Sequence, residues 1–153
     1  MTTPQQAAFL DMIAFSEIGP ALLAVSDNGY NVLVGSTAKK PLLFSSYITH
    51  PHILNREMNS TAAGRYQLLY RYWVAYSRML DLPDFSPESQ DKIALEQIKE
   101  QGAMGDIAAG RIANAIDKCS NIWASFPNAG YGQHEHKASV LLAAFNAAGG
   151  YIA

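Results

Sequence analysis

The sequence predicts a mostly helical α+β fold with one small β-sheet, formed by residues 1–153 as a single domain. Three observations support this prediction. Apolar residues recur at helical spacing over most of the chain, one stretch after an Asn-Gly turn signal resembles a strand, and no repeat or long linker interrupts the sequence. A chain of 153 residues can bury roughly 70% of the surface that its unfolded form exposes, so one core suffices.

The first helix is predicted from Thr3 to about Glu17. Thr3 can cap this helix, Pro4 suits its first position, and Gln6 can complete a capping box. Gly19-Pro20 is expected to end it, because proline lacks an amide hydrogen and disfavours a helical conformation in the residue before it.

A small sheet is predicted next, either as a β-hairpin or as three strands. Asn28-Gly29 is a turn signal, and residues 30–34 have the composition of a strand. Residues 42–44 are a second apolar stretch beyond a polar segment, so they are expected to pair with the first.

The longest helix is predicted to begin at Ser60 or Thr61 and to continue to Leu80, stopping before Pro83. We expect it to be the central helix of the fold. The other predicted helices cover Ser86 to Gly102, residues 105–110, residues 111–119 and residues 134–148. Gly149 follows the last helix, at a position where a left-handed cap favours glycine.

The composition indicates a globular protein and excludes several classes. Hydrophobic residues make up 49% of the chain and charged residues 16%, which is not typical of disordered chains. The net charge of −2 provides no positive field for nucleic acid. No apolar run approaches the roughly 20 residues that span a bilayer. The first residues do not resemble a signal peptide, so we expect the protein to be made in the cytoplasm.

No cofactor or metal is expected. Cys119 lies among apolar residues of a predicted helix, which is typical of a buried, unreactive thiol. His50 and His52 flank a proline without a third ligand nearby, which is poor spacing for zinc. His134 and His136 are expected to cap the last helix or to lie on the surface.

Glu17 is the leading candidate for catalysis. It follows Leu10 and Ile13 on one helical face and lies at the predicted end of the helix. Desolvation by that apolar face and the negative end of the helix dipole would both raise the pKa of its carboxyl group. A glutamic acid that stays neutral at working pH can protonate a leaving oxygen. The alternative is an ordinary exposed glutamate at a helix end.

Three arginines in the predicted central helix, Arg65, Arg71 and Arg78, form a stripe that could face an acidic polymer. The alternative is a solvated side of the helix. Several tyrosines of the same segment could stack against sugar rings, or they could fill the core, where each hydroxyl would need a partner.

Four sequence blocks carry a resemblance to a known family: AFLDMIAFSE at residues 8–17, GRYQLL at 64–69, FSPESQD at 85–91 and CSNIWASFP at 119–127. In this order they closely resemble the phage lambda endolysin family, and the similarity extends from about Ala8 to Gly150. The resemblance implies a lysozyme-like fold of two lobes around a glycan cleft. It also implies a lytic transglycosylase that cuts peptidoglycan between N-acetylmuramic acid and N-acetylglucosamine.

The resemblance places the family's catalytic glutamate at Glu17. It also implies that Tyr66 and Gln67 orient the glycan, and that Asn121, Ser125 and Tyr131 contribute more weakly to substrate binding. A transglycosylase needs no second carboxylate, because the C6 hydroxyl of the muramic acid closes onto C1 and forms a 1,6-anhydro sugar. The chain offers one well-placed acid without an obvious partner carboxylate, which agrees with this mechanism.

Two alternatives stay open at this point. A muramidase-type hydrolase on the same fold would need a second carboxylate such as Asp27. A glycan-binding domain without turnover would need no acid at all. For the enzyme we expect a monomer that waits in the host cytoplasm and reaches the periplasm and cell wall through a membrane lesion made by a holin.

Two departures from the family pattern affect this interpretation. Asn31 stands where similar sequences carry an acid, so no role of that carboxylate can apply here. Residues 18–25 are more apolar than the polar loop expected beside the active site, which leaves the conformation of this segment open.

Overall fold

The computed structural model describes residues 2–131 and 134–153. Within these residues it contains seven α-helices: α1 (Pro4–Glu17), α2 (Pro20–Ala24), α3 (Tyr70–Met79), α4 (Pro87–Glu100), α5 (Met104–Ala109), α6 (Ile112–Cys119) and α7 (Ala138–Ala147). The chain divides into two compact units. The first comprises residues up to Glu17 together with Ala94–Ala153, and the second is Ile18–Ile93. None of the described helices is long and apolar enough to cross a membrane.

Helix α1 confirms the predicted capping box. The Thr3 Oγ1 atom accepts a hydrogen bond from the Gln6 amide at 3.1 Å, and Gln6 Oε1 accepts one from the Thr3 amide at 3.1 Å. Gly19, with φ +86°, separates α1 from the short helix α2. Residues 18–25 therefore contain a helical turn rather than only a loop, because Pro20 has the φ angle that a first helical position requires.

The core of the first unit surrounds α1. Half of its residues are buried, while the side that carries Pro4, Ala7 and Asp11 is exposed. Phe9 packs edge-on against Phe145 of α7, with ring centroids 6.4 Å apart. Helices α5 and α6 add Ile107 and Ile116, both buried. Burying each such side chain stabilises the fold by about 1.5–3 kcal/mol.

Helix α7 begins later than predicted. The sequence predicts a start at His134, whereas the helix starts at Ala138 with Lys137 as an extended N-cap. The segment before it is fixed instead to the turn after α6, because the His136 amide donates to the Ser125 carbonyl at 2.8 Å. The end agrees with the prediction, with Gly149 in the left-handed region at φ +93°.

The predicted sheet of the second unit is reduced to isolated antiparallel bridges. They join Val32 to Leu43, Leu33 to Ala63, Asn55 to Ser60 and Ala63 to Leu68. Turns at Gly29 and Gly35, with φ +85° and +83°, leave only a few residues between them. This segment is therefore too short for a ladder of several residue pairs. The two expected strand segments do pair, since the Leu33 amide donates to Leu42 O at 2.8 Å.

The prediction of a central helix from Ser60 or Thr61 to Leu80 is wrong in its first half, because α3 begins only at Tyr70. Ala63 and Leu68 instead exchange backbone hydrogen bonds of 3.1 and 2.9 Å and enclose a four-residue turn. Gly64 and Gln67 in this turn have φ values of +86° and +52°, which no α-helix contains.

The aromatic core of the second unit surrounds Phe85. Its ring centroid lies 5.2 Å from that of Trp73, 6.1 Å from Phe44 and 5.0 Å from His50. His50 is buried and its Nε2 atom bonds to the Leu68 carbonyl at 2.8 Å, while burial lowers the pKa of its imidazole. His50 is therefore a core residue, and its bond to Leu68 holds the end of the hairpin formed by residues 63–68.

Gly64→Ala should destabilise the protein more than Gly19→Ala, although both glycines have φ +86°. At either position the positive φ strains alanine. At Gly64 a Cβ would also overlap with Gln90 Oε1 and lie 3.1 Å from Phe85 Cζ, whereas nothing lies within 4 Å of a Cβ at Gly19. We expect a further loss of about 1–3 kcal/mol from this overpacking, measured by denaturant unfolding. Equal losses would contradict the steric account.

Candidate active site

Glu17 is the last residue of α1 and is partly buried. The hydroxyl of Ser125 donates a hydrogen bond to its Oε2 atom. Burial raises the pKa of the Glu17 carboxyl group to about 7, and the side-chain and backbone hydrogen bonds with Ser125 oppose this increase. The direction of the shift and its cause in desolvation agree with the expectation from the sequence, whereas the helix dipole is not among its causes. Both protonation states of this acid are accessible near neutral pH.

Ser125 is positioned by a series of tight turns after α6. The carbonyl oxygen of Cys119 accepts hydrogen bonds from the Ile122 amide at 3.0 Å and the Trp123 amide at 3.3 Å. The Trp123 carbonyl accepts one from the Phe126 amide at 3.0 Å. Trp123 and Phe126 are buried with ring centroids 5.7 Å apart, which anchors the segment. The Ser125 hydroxyl is thereby held at the end of α1.

His136 contacts both the end of α1 and the Ser125 segment. Its ring Nε2 atom is 3.2 Å from the carbonyl oxygen of Ser16, and its ring packs against Phe15 at a centroid distance of 5.8 Å. The expectation that His136 caps the last helix or lies on the surface is wrong, because Lys137 is the N-cap and the ring is partly buried. His134 is exposed, as expected.

Asn121 and Tyr131 belong to the same unit as Glu17 and are both exposed. The Tyr131 hydroxyl donates to the Asn121 carbonyl at 2.6 Å, and Asn121 Nδ2 donates to Gln101 Oε1 at 3.0 Å. These contacts hold the Tyr131 ring on the surface close to the Asn121 backbone.

Tyr66 lies in the second unit and is 5% exposed. Its hydroxyl donates to Asp91 Oδ1 at 2.6 Å and accepts from Arg65 Nη1 at 3.0 Å, and the Tyr30 hydroxyl donates to the same Asp91 oxygen at 2.9 Å. The guanidinium of Arg65 stacks on both tyrosine rings, 5.3 and 5.6 Å from their centroids. Burial raises the pKa of Tyr66, so this hydroxyl stays neutral.

Arg65 is therefore buried, and the predicted arginine stripe with Arg71 and Arg78 is wrong. Arg65 belongs to the hairpin turn, where its Nε atom donates to the Asn28 carbonyl at 3.0 Å. Gln67 is partly buried in the same turn, and its Nε2 atom donates to Gly64 O at 2.9 Å. The hydrogen-bonded side chains of the GRYQ block thus stabilise the turn itself.

Asp27, the candidate second carboxylate, is exposed in the second unit and accepts a hydrogen bond of 2.5 Å from the Tyr47 hydroxyl. Asn31 Oδ1 accepts the Asp27 amide at 2.9 Å. The amide oxygen of Asn31 therefore closes this turn.

Sequence reasoning missed three residues of the hydrogen-bonded groups. Ser16 bonds to Ser125 in the first unit, and Tyr30 and Asp91 bond to each other in the second unit. Their partners lie 61 residues away for Tyr30 and 109 for Ser16, so local spacing carries no signal for them. Only the position of Ser16 directly before the candidate acid could have drawn attention to it.

No group of three His, Cys, Asp or Glu side chains in the described part of the chain could hold a metal ion. Cys119 is buried and its surroundings raise the pKa of its thiol to about 12, mainly through desolvation, as expected of an unreactive cysteine.

Comparison with known proteins identifies the relatives of this chain. It is 53% identical over 152 residues to the endolysin of Escherichia phage lambda, covering 97% of this chain and 93% of that protein. It is 50% identical over 153 residues to the endolysin of Escherichia phage P2, covering 94% and 92%. A structure of bacteriophage lambda lysozyme complexed with a chitohexasaccharide superposes with a TM-score of 0.91 at 51% identity, covering 100% of this chain and 99% of that one.

A second structure of lysozyme from bacteriophage lambda superposes with a TM-score of 0.82 at 49% identity, covering 100% of this chain and 99% of that one. The fold is therefore that of lambda lysozyme, as the sequence blocks imply. The family model described as Endolysin matches residues 7–152. With nearly the whole chain matched, this protein belongs to the Endolysin family.

Proposed function

We propose that this protein is an endolysin that cleaves peptidoglycan as a lytic transglycosylase, with Glu17 as its general acid and then its general base. The observation that carries the proposal is the Glu17 carboxyl group, which is partly buried, bonded to Ser125 and has a pKa raised to about 7. The relative solved with a chitohexasaccharide supports a β-linked aminosugar polymer as the class of substrate.

The proposed reaction begins with neutral Glu17, which gives its proton to the glycosidic oxygen as the bond from that oxygen to C1 of the muramic acid breaks. The carboxylate then takes the proton of the C6 hydroxyl, and O6 forms a bond with C1. The products are a 1,6-anhydro sugar and a shortened strand, and Glu17 ends protonated. No water is consumed. Because the nucleophile belongs to the same sugar ring, its proximity replaces an activated water molecule.

The electrostatics of Glu17 are compatible with a reaction that uses one carboxyl group. A retaining hydrolase keeps a second carboxyl group about 5–5.5 Å from the acid, and such a neighbour raises the pKa of the acid by repulsion. The pKa of Glu17 is raised by burial and lowered by its hydrogen bonds with Ser125, so no neighbouring carboxylate is needed to explain it. A muramidase-type hydrolase and a glycan-binding domain without turnover are outcomes that the experiment below distinguishes.

Substrate contacts are proposed at Asn121, Ser125 and Tyr131, which share the unit of Glu17. For Tyr66 and Gln67 we propose an indirect role, in which they hold the hairpin turn that presents its backbone to the glycan. The proposal includes the two-lobed glycan cleft, action as a monomer, and a holin that releases the protein from the host cytoplasm to the cell wall.

The purified protein should release 1,6-anhydromuropeptides from peptidoglycan, and Glu17→Gln should abolish this release because the amide cannot transfer a proton. Mass spectrometry of the soluble products is the measurement, since hydrolysis adds a water that the anhydro product lacks. Glu88→Gln, an exposed acid in the first turn of α4, is the matched control and should retain activity. Reducing-end products would establish a hydrolase, and binding without any cleavage would establish a glycan-binding domain.

Ser125→Ala should raise the pKa of Glu17 above about 7, because the hydrogen bond from Ser125 lowers it in the native protein. The carboxyl ¹³C signal of Glu17, assigned by its loss in Glu17→Gln, reports the titration directly. The basic limb of the activity profile should move to higher pH in parallel. Ser120→Ala removes a hydroxyl bonded to the Asp117 carbonyl at 2.8 Å in the same unit and should leave the titration unchanged. An unchanged or lower pKa of Glu17 in Ser125→Ala would contradict the role of Ser125 as a donor that stabilises the Glu17 anion.

Glu17→Gln should stabilise the fold at alkaline pH. The folded-state pKa of Glu17 lies above the reference value of 4.5, at about 7, so the folded protein binds the proton more tightly than the unfolded chain does. Stability supplied by this group is therefore complete below pH 4.5 and declines as pH rises toward 7. Melting temperatures of both proteins, measured from pH 4.5 to 8, should diverge in favour of the variant. Parallel curves would show that the anion is not buried.

A further inference from the structure

Ser16 extends the hydrogen-bonded arrangement at Glu17 by one hydroxyl. Its Oγ atom lies 2.6 Å from Ser125 Oγ, and Ser125 in turn donates to the Glu17 carboxylate. Ser16 is only 7% exposed, so solvent contributes little to its hydrogen bonding. The three side chains therefore form a short series from a buried hydroxyl to the proposed acid.

Proton counting determines the direction of donation in this series. A carboxylate only accepts, so the single hydroxyl hydrogen of Ser125 points to Glu17 when that group is ionised. Ser16 must then donate to Ser125, because Ser125 has no second hydrogen. When Glu17 is protonated, its own hydrogen can point to Ser125, and Ser125 can donate to Ser16. The Glu17–Ser125 and Ser125–Ser16 contacts can therefore persist in both states.

His136 holds the backbones of both serines. Its main-chain amide donates to the Ser125 carbonyl at 2.8 Å, and its ring Nε2 is 3.2 Å from the Ser16 carbonyl. Because a carbonyl oxygen only accepts, Nε2 carries a hydrogen in this contact. One residue thus restrains the spacing of the two hydroxyl groups.

We infer that Ser16 is a positioning residue for the acid–base step, which orients the Ser125 hydroxyl and lets the direction of donation reverse when Glu17 gives up its proton. The inference rests on the proposed function of Glu17. A transglycosylase uses one carboxyl group first as an acid and then as a base, so its surroundings must stabilise both forms. Rotation of two hydroxyl hydrogens achieves this without movement of heavy atoms, which keeps the site preorganised.

Loss of the Ser16 hydroxyl should affect the ionised form more than the neutral form. Hydrogen bonds to a charged group are about twice as strong as neutral ones, and a donor to Ser125 strengthens the bond that Ser125 donates. The pKa of Glu17 should therefore rise in Ser16→Ala, by less than in Ser125→Ala.

Other ionisable groups neighbour this arrangement. His134 lies beside His136 with ring centroids 5.2 Å apart, and the Glu135 carboxylate accepts the amides of Asn128 and Gly130 at 2.9 and 3.1 Å. An activity profile reports on all groups of the site together. The Glu17 carboxyl ¹³C signal is therefore the primary readout.

A double-mutant cycle between Ser16→Ala and Ser125→Ala tests the inference. Ser16→Ala in the native background should lower kcat about fivefold to tenfold, with KM nearly unchanged, and should raise the pKa of Glu17. In the Ser125→Ala background the same substitution should change kcat by less than about twofold, because Ser16 acts through Ser125. Ser16→Thr keeps the hydroxyl and should restore the native pKa, and Ser120→Ala is the matched control.

Equal effects of Ser16→Ala in both backgrounds would overturn the inference, as would a fall in melting temperature without a change in the pKa. The ¹³C titration separates this failure from failure of the proposed function. If Glu17→Gln keeps its activity, the proposed function fails, while the titration still reports whether Ser16 acts on Glu17 through Ser125.

Discussion

Desolvation of one carboxyl group is the constraint on which the rest of this structure depends. Glu17 ends a helix of which half the residues are buried, and burial of its own carboxyl group makes the anion costly. In the described part of the chain, hydrogen bonds from Ser125 limit this cost. A cation at that position would hold the acid ionised and remove its ability to donate a proton. The raised pKa is thus a consequence of burial.

A single acid that must be neutral and then charged places opposite demands on its neighbours. A fixed donor favours only the anion, and an apolar pocket favours only the neutral form. Hydroxyl groups meet both demands because each can donate or accept. The contacts among Ser16, Ser125 and His136 provide such groups in a restrained geometry. The proposed reaction needs no second carboxylate, because the substrate supplies its own nucleophile.

The second unit uses polar side chains for a different purpose. Arg65, Tyr66, Tyr30 and Asp91 are linked by hydrogen bonds and ring stacking beneath the hairpin turn, and they stabilise two left-handed backbone positions there. A motif that identifies the family therefore consists largely of residues that hold a backbone shape. Membership of the Endolysin family is shown by the whole chain, whereas the role of each residue depends on where its side chain points.

The amino-acid sequence by itself determined the helices that carry local signals, including α1 with its capping box and α4 to α6, and it located Glu17 at the end of a buried helix. These features depend on residues within a few positions of one another. Tertiary structure alone decided the hairpin at residues 63–68, the late start of α7 and the neighbours of Glu17. Residues 63–68 could continue a helix by composition, but contacts with Gln90 and Asp91 outweigh that preference. Ser125 lies 108 residues from Glu17 in the chain, and only chain folding brings a partner so distant into contact.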